Sequence, residues 1–239
     1  MLFDVDGTLT EPRQKITPRM TALLRTLGEM YTVAVVGGSN HSKIREQLGQ
    51  DLLDELDFVF CENGLVSYKD GSSLPGESIQ DYLGDEKLRF LIDSTLMALA
   101  AVKIPKKRGT FIELRKGLIN ISPIGRDCTQ AERDEFAQYD ELHNVRQSLI
   151  ESLQKAYGDS YGLKFSIGGQ ISVDVFPFGW DKTYCLRFLS ENDFDAIHFF
   201  GDKTHRGGND HEIFEHPRTI GYHVNSSLDT LDILEKQFS

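Results

Sequence analysis

The chain has 239 residues, 39% hydrophobic and 10% aromatic, enough to bury one large core or two small ones and too apolar for a disordered chain. A net charge of -11 and a pI near 5.1 argue against nucleic acid or an acidic membrane surface as a partner, because phosphate-rich surfaces recruit basic faces. No apolar run approaches the roughly 20 residues of a membrane span, no signal-like segment opens the chain, and Cys61, Cys128 and Cys185 form no C-x-x-C pair. The expectation is a soluble, cytoplasmic protein with reduced thiols and neither a disulfide framework nor a zinc knuckle.

The sequence opens almost inside a strand, Met1-Leu2-Phe3 with Asp4 following at once, as if residues upstream were missing. Met20, Leu23, Leu24 and Leu27 recur at helical spacing, and Tyr31 to Val36 reads as a second buried strand stopped by Gly37-Gly38. With the short apolar piece Phe58-Val59-Phe60, this is the opening of a parallel α/β sheet. The style then changes. Leu88, Leu91, Ile92, Thr95, Leu96 and Leu99 mark an amphipathic helix, and strands at Thr110 to Leu114 and Leu118 to Ser122 flank Lys116-Gly117. A long polar helix runs from about Ala131 to Tyr157, followed by strands at Leu163 to Ile167 and Ile171 to Phe176. Helix, hairpin, helix, hairpin predicts an α+β layer on an antiparallel sheet. Beyond Gly179 the parallel style returns, with a helix over Asp181 to Leu189, a strand over Ala196 to Phe200, a short strand Thr219 to Val224 and a last helix near Ser227 to Gln237. The expected organisation is therefore a split core, 1–76 and 178–239, with an inserted domain at 77–177.

Charge is uneven within this acidic chain. Between Lys103 and Arg133 stand eight basic residues against three acidic ones, a basic island inside the insert.

The residues that can carry chemistry sit at strand ends, where open α/β sheets bind their ligands. Asp4-Val5-Asp6-Gly7-Thr8 places two carboxylates there, as either an Asp-rich turn or a reactive pair. An ionised Asp4 can attack phosphorus, while Asp6 protonates the departing oxygen and deprotonates the incoming one. Gly7 permits a tight turn that gathers backbone N–H groups around phosphoryl oxygens. A carboxylate approaching a phosphate dianion needs neutralising charge, which an oxygen-ligated Mg²⁺ would supply. A calcium loop does not fit, because Lys15 stands where an EF-hand needs its bidentate Glu. Gly201-Asp202-Lys203-Thr204 with Gly207-Gly208-Asn209-Asp210 follows another strand and either brings Asp202 to the same metal, with Asn209 and Asp210 as ligands or as supports behind it, or is a polar loop capping a helix at Asp210. Lys182 is either a cation holding the nucleophile and the phosphate together or an exposed lysine, and Ser39 either a phosphoryl contact or a turn serine. Neither a Rossmann fingerprint, a P-loop nor a nucleophile elbow occurs.

The order Asp4-x-Asp6, Ser39, Lys182, Gly201-Asp202 with Asn209-Asp210 resembles the four motifs of the haloacid dehalogenase (HAD) superfamily, and the insertion resembles its larger cap class. Residues 109 to 126 (GTFIELRKGLINISPIGR), 166 to 185 (SIGGQISVDVFPFGWDKTYC) and 201 to 214 (GDKTHRGGNDHEIF) are similar to eukaryotic phosphomannomutases. The resemblance implies an α/β fold, a HAD-like Rossmannoid core with a parallel sheet plus an inserted α+β cap with an antiparallel sheet. It implies Asp4 as nucleophile, Asp6 as acid/base and Lys182 as the cation beside them, with Mg²⁺ held by Asp4, by the backbone carbonyl of Asp6 and by Asp202. Arg13 corresponds to a substrate-contacting arginine, Arg115, Arg126 and Arg133 to the arginines for the distal phosphate, and Ser172 and Asp174 to sugar and phosphate contacts. A second cation site of the family would use Phe214 and Thr219, but its carboxylate is replaced here by His216. The implied activity is interconversion of mannose 1-phosphate and mannose 6-phosphate, with hexose 1,6-bisphosphate as activator, for GDP-mannose supply; glucose phosphates are a further substrate class. The implied assembly is a homodimer through the cap. The alternatives are a HAD-type sugar-phosphate phosphatase, disfavoured by three cap arginines, and a non-catalytic binding module, disfavoured by the presence of both Asp4 and Asp6.

Overall fold

A computed structural model describes residues 1–238, which divide into two compact units, 1–76 with 179–238 and 77–178.

The first unit is built on a seven-stranded sheet in the order β11-β10-β1-β2-β3-β4-β5. Its strands are β1 (Leu2–Phe3), β2 (Ala34–Val36), β3 (Phe58–Cys61), β4 (Val66–Lys69), β5 (Ser72–Ser73), β10 (Ile197–Gly201) and β11 (Thr219–His223). Pairing is parallel from β11 through β3, and β4 and β5 add an antiparallel edge that the sequence reading had not included. β1, β2 and β3 are buried at every position, as strands covered on both faces must be. Phe3 and Phe200 stack at 4.9 Å on adjacent strands, each burial contributing about 2 kcal/mol.

Helix α1 (Pro18–Gly28) begins with Pro at its first turn and with Thr17 accepting from the Met20 N–H, and it buries Met20, Leu24 and Leu27. Next come α2 (His41–Leu48) and α3 (Gln50–Glu55); α8 (His211–Phe214) and α9 (Ser227–Gln237) lie in the second segment of the unit. The helix expected over Asp181 to Leu189 is a 3-10 helix, Lys182–Phe188, capped by the Asp181 carboxylate, which accepts from the Thr183 N–H at 2.9 Å.

The second unit holds a four-stranded antiparallel sheet in the order β6-β7-β9-β8, formed by β6 (Ile112–Leu114), β7 (Ile119–Ile121), β8 (Leu163–Gly168) and β9 (Ser172–Pro177). Ile119, Ile121, Phe165, Val173 and Val175 are buried, and the alternating partners Glu113, Asn120, Asp174 and Ser166 align in one row across the four strands. Helix α4 (Ile79–Ala101) starts well before Leu88 and is kinked at Gly84, which has φ 70°.

The single polar helix expected from Ala131 to Tyr157 is broken. It becomes α5 (Gln130–His143), capped by the reciprocal Thr129–Glu132 box, and α6 (Val145–Leu153), running into a wide turn at Gln154–Gly158 and the short α7 (Asp159–Tyr161). The break is Asn144, left-handed at φ 51°, a conformation asparagine tolerates better than most residues. A partly buried ion pair fixes it: the Asp140 carboxylate accepts from the Arg146 backbone N–H at 2.8 Å and from its Nε at 2.7 Å.

Candidate active site

The carboxyl ends of β1 and β10 lie side by side, and the Asp4 N–H continues their ladder by donating to Phe200 O at 2.9 Å. Asp4 and Asp202 therefore leave adjacent strands at the same edge. The loop after Asp202 folds back on itself, with the Asp210 N–H donating to Lys203 O at 3.2 Å and the Lys203 N–H to Asp210 Oδ2 at 3.0 Å. That return needs Gly208, since a Cβ there would sit 2.0 Å from Lys203 O. Asp210 precedes α8 without capping it; its side chain is turned to the site instead.

Lys182, 1% exposed at the start of the 3-10 helix, donates its ammonium to Asp4 Oδ1 and to Asp210 Oδ1. Burial alone would lower Lys182, but the charges of Asp4 and Asp210 outweigh it and hold the ammonium above its usual range. Burial pushes the Asp4 carboxyl up, to about 7, against the pull of Lys182, and Asp210 adds to the rise. Burial also raises Asp202, with Lys203 pulling the other way.

Asp4, Asp202 and Asp210 offer carboxylate oxygens that lie within 4.8 Å of one another, the one such cluster among the described residues. Asp202 Oδ1 is buried and takes no hydrogen bond. Three carboxylates against one buried ammonium leave negative charge unbalanced in a site of oxygen donors only, which suits a hard divalent cation such as Mg²⁺.

Asp6 points elsewhere. Its Oδ1 accepts from the Arg13 backbone N–H and from Gln47 Nε2, both at 2.7 Å. Between them the chain turns tightly, the Gly7 N–H reaching Thr10 O at 2.7 Å. Gly7 has φ 80°, and a Cβ there would come within 2.5 Å of Asp202 Oδ2, so both the backbone and the space favour glycine at position 7. Arg13 enters this arrangement through its backbone. A cavity of about 140 Å³ beside these groups is lined by Asp4, Asp6, Ser39, Gln47, Lys203 and Asn209, among others. A larger hollow of about 260 Å³, near Phe194 and Arg218, gathers no comparable set of groups.

In the second unit, Arg115 and Arg126 converge on one carboxylate. Glu113 Oε2 lies 2.8 Å from Arg115 Nη2 and 2.9 Å from Arg126 Nε. Arg126 Nη1 donates to Asn120 Oδ1, and Asn120 Nδ2 to Asp174 Oδ1, both at 2.6 Å. Arg133 Nη2 donates to Arg126 O at 3.3 Å, and Ser172 Oγ to Gly168 O at 2.9 Å. Burial raises the Asp174 carboxyl, while its bond from Asn120 and the nearby Arg115 and Arg126 lower it. The rest of the basic island is partly spent locally: Lys106 pairs with Glu135, Arg108 with Glu132, and Lys107 donates to Leu99 O at 2.5 Å.

At the second cation position, the Thr219 hydroxyl donates to Ile213 O and to His216 O, and His216 Nδ1 accepts from the Arg218 N–H at 3.2 Å. These groups serve the turn between α8 and β11, and Phe214 packs its ring at Gly221.

Gln47, Glu113 and Asn120 join these sites without belonging to any motif of the sequence. Glu113 alternates with Arg115 along a strand, a weak signal. Gln47 meets Asp6 only through the fold.

A family model described as eukaryotic phosphomannomutase matches residues 20–239. The chain is 55% identical over 237 residues to a phosphomannomutase of Nicotiana benthamiana, covering 99% of this chain and 93% of the relative. It is 56% identical over 230 residues to one of Triticum aestivum, covering 96% and 91%. Among solved structures, a Plasmodium falciparum IMP-nucleotidase with IMP bound superposes with TM-score 0.63 at 15% identity, over 98% of this chain and 66% of that one. A trehalose-6-phosphate phosphatase related protein gives 0.54 at 17%, over 98% and 95%. Those two likenesses concern the fold.

Proposed function

The chain belongs to the eukaryotic phosphomannomutase family, and from that premise we propose that it interconverts mannose 1-phosphate and mannose 6-phosphate through an aspartyl-phosphate and a hexose 1,6-bisphosphate. The observation that carries this reading is the buried ammonium of Lys182 shared by Asp4 and Asp210 next to Asp202. An Asp4 oxygen forms a bond to phosphorus as the bond from phosphorus to the sugar oxygen breaks, and Asp6 gives that oxygen a proton. In the return step Asp6 takes the proton from the other sugar hydroxyl as it attacks phosphorus, and Asp4 regains its carboxylate.

Asp6 is suited to this role because two donors hold its Oδ1 and so fix the carboxyl's orientation. Lys182 pulls Asp4 toward its anionic form against burial and aims it. Mg²⁺ would be held by Asp4, the Asp6 carbonyl and Asp202, with Asp210 behind; it supplies the charge that lets a carboxylate meet a phosphate dianion. Arg115, Arg126 and Arg133 bind the phosphate that is not reacting, in the bidentate manner open to guanidinium, and Ser172 and Asp174 contact the sugar. Arg13 contacts substrate near the nucleophile.

The product serves GDP-mannose synthesis, and glucose phosphates are a further substrate class. The reading includes a cytoplasmic enzyme, in keeping with three free, buried thiols; no described helix is long and apolar enough to cross a membrane. It also includes a homodimer through α4, whose Phe90, Leu96 and Met97 are exposed. Phe214 and Thr219 make a poor second cation site, since His216 brings no carboxylate and Thr219 Oγ1 is engaged.

The test is chemical trapping. After mixing with hexose 1,6-bisphosphate and Mg²⁺, borohydride reduction converts an acyl phosphate at Asp4 into homoserine, which peptide mass spectrometry locates. Homoserine at position 4 supports the reading, and reduction at another carboxylate, or none, overturns it.

A further inference from the structure

We infer that Glu113 is a positioning residue that presets the pair of guanidinium groups in the second unit as one anion-binding fork; the inference rests on the proposed role of Arg115 and Arg126. Two guanidinium ions side by side repel, and long side chains at 36% and 28% exposure would otherwise sample many rotamers. Three N–H groups converge on a single oxygen, Glu113 Oε2: Arg115 Nε at 3.2 Å, Arg115 Nη2 at 2.8 Å and Arg126 Nε at 2.9 Å. That oxygen ties the guanidinium groups together along one edge.

Glu113 is in turn held by register. It stands opposite Asn120 on β7, and Asn120 opposite Asp174 on β9. Asn120, 3% exposed, takes Arg126 Nη1 on its oxygen and gives its amide to Asp174. Arg126 is thus gripped from both sides, at Nε by Glu113 and at Nη1 by Asn120, while its N–H donates to Thr110 O at 3.0 Å. The fork is ordered before any anion arrives, so binding is relieved of much of the side-chain entropy cost.

The carboxylate also has an opposing effect, because it cancels one of the two positive charges facing the anion. With both arginines partly exposed, solvent weakens that charge term more than it weakens the ordering. Removing Glu113 should therefore weaken anion binding. Because the donors meet at one oxygen, a glutamine can offer its amide oxygen in the same place without the charge, which separates the two effects.

The experiment is calorimetric titration of wild type, Glu113→Ala and Glu113→Gln with mannose 1-phosphate and Mg²⁺, with circular dichroism to establish that each variant is folded. Glu113→Ala should raise Kd about tenfold, and Glu113→Gln should leave it within about threefold of wild type. Tighter binding in both variants, or Kd unchanged in Glu113→Ala, overturns the inference, and so does a glutamine variant as weak as the alanine one. If Glu113→Ala fails to fold, the glutamine variant still decides, because a Kd raised tenfold contradicts positioning. A wild type that binds the sugar phosphate but does not isomerise it refutes the proposed reaction and leaves this inference standing.

Discussion

Replacing Lys182 by methionine is the perturbation whose size the structure fixes best. Methionine fills much of the same volume, so packing changes little, but Asp4 and Asp210 lose the ammonium they share at a site 4% and 0% exposed. Removing one partner of a buried ion pair costs about 3–5 kcal/mol. Asp4 can shed its charge by binding a proton, which puts the expected loss near the lower end, about 3 kcal/mol at neutral pH without metal. At a urea slope of about 3 kcal/mol/M, the unfolding midpoint should fall by about 1 M. Trp180 is the single tryptophan, 5% exposed and in the same unit, so its fluorescence reports the transition directly. Asp210→Asn added to Lys182→Met removes one orphaned charge, and the double variant should be more stable than the single one. A midpoint shift below about 0.3 M, or strict additivity of the two substitutions, would refute the claim that this ammonium neutralises the pair.

Asp202→Asn should lower Mg²⁺ affinity at least tenfold by calorimetry while raising metal-free stability by about 1 kcal/mol, since it removes charge from a carboxylate with a buried, unpartnered oxygen. Unchanged Mg²⁺ affinity would remove Asp202 from the ligand set. Gly7→Ala combines a left-handed φ with a Cβ 2.5 Å from Asp202 Oδ2, so it should cost about 1–2 kcal/mol and turnover together; a fully active, equally stable variant would contradict the geometry. Gln47→Ala frees one side of Asp6, and kcat should drop about tenfold with KM changed far less. A kcat within twofold of wild type would mean that the Arg13 N–H alone orients Asp6.

The parallel core was legible because its signals are local. Buried apolar runs end in Asp4 and Asp202, and fully buried strands advertise themselves in composition. What could not be read depends on contacts between distant residues. The helix break at Asn144 follows from the Asp140–Arg146 pair, yet the segment keeps a helical pattern throughout. The antiparallel β4 and β5 are short and partly exposed, without a strong alternation. Within the site, Asp4, Asp202, Asp210 and Lys182 stood in recognisable motifs, and the structure brings their side chains together. Gln47 beside Asp6, and Glu113 and Asn120 beside Arg126, are set by helix placement and strand register, which sequence spacing does not specify.

In the proposed reaction phosphate passes between Asp4 and the sugar rather than to water, and phosphorus NMR reads this directly. Protein, Mg²⁺, mannose 1-phosphate and a trace of hexose 1,6-bisphosphate should yield a growing mannose 6-phosphate resonance with little inorganic phosphate. Inorganic phosphate as the main product would make the protein a sugar-phosphate phosphatase and contradict the account.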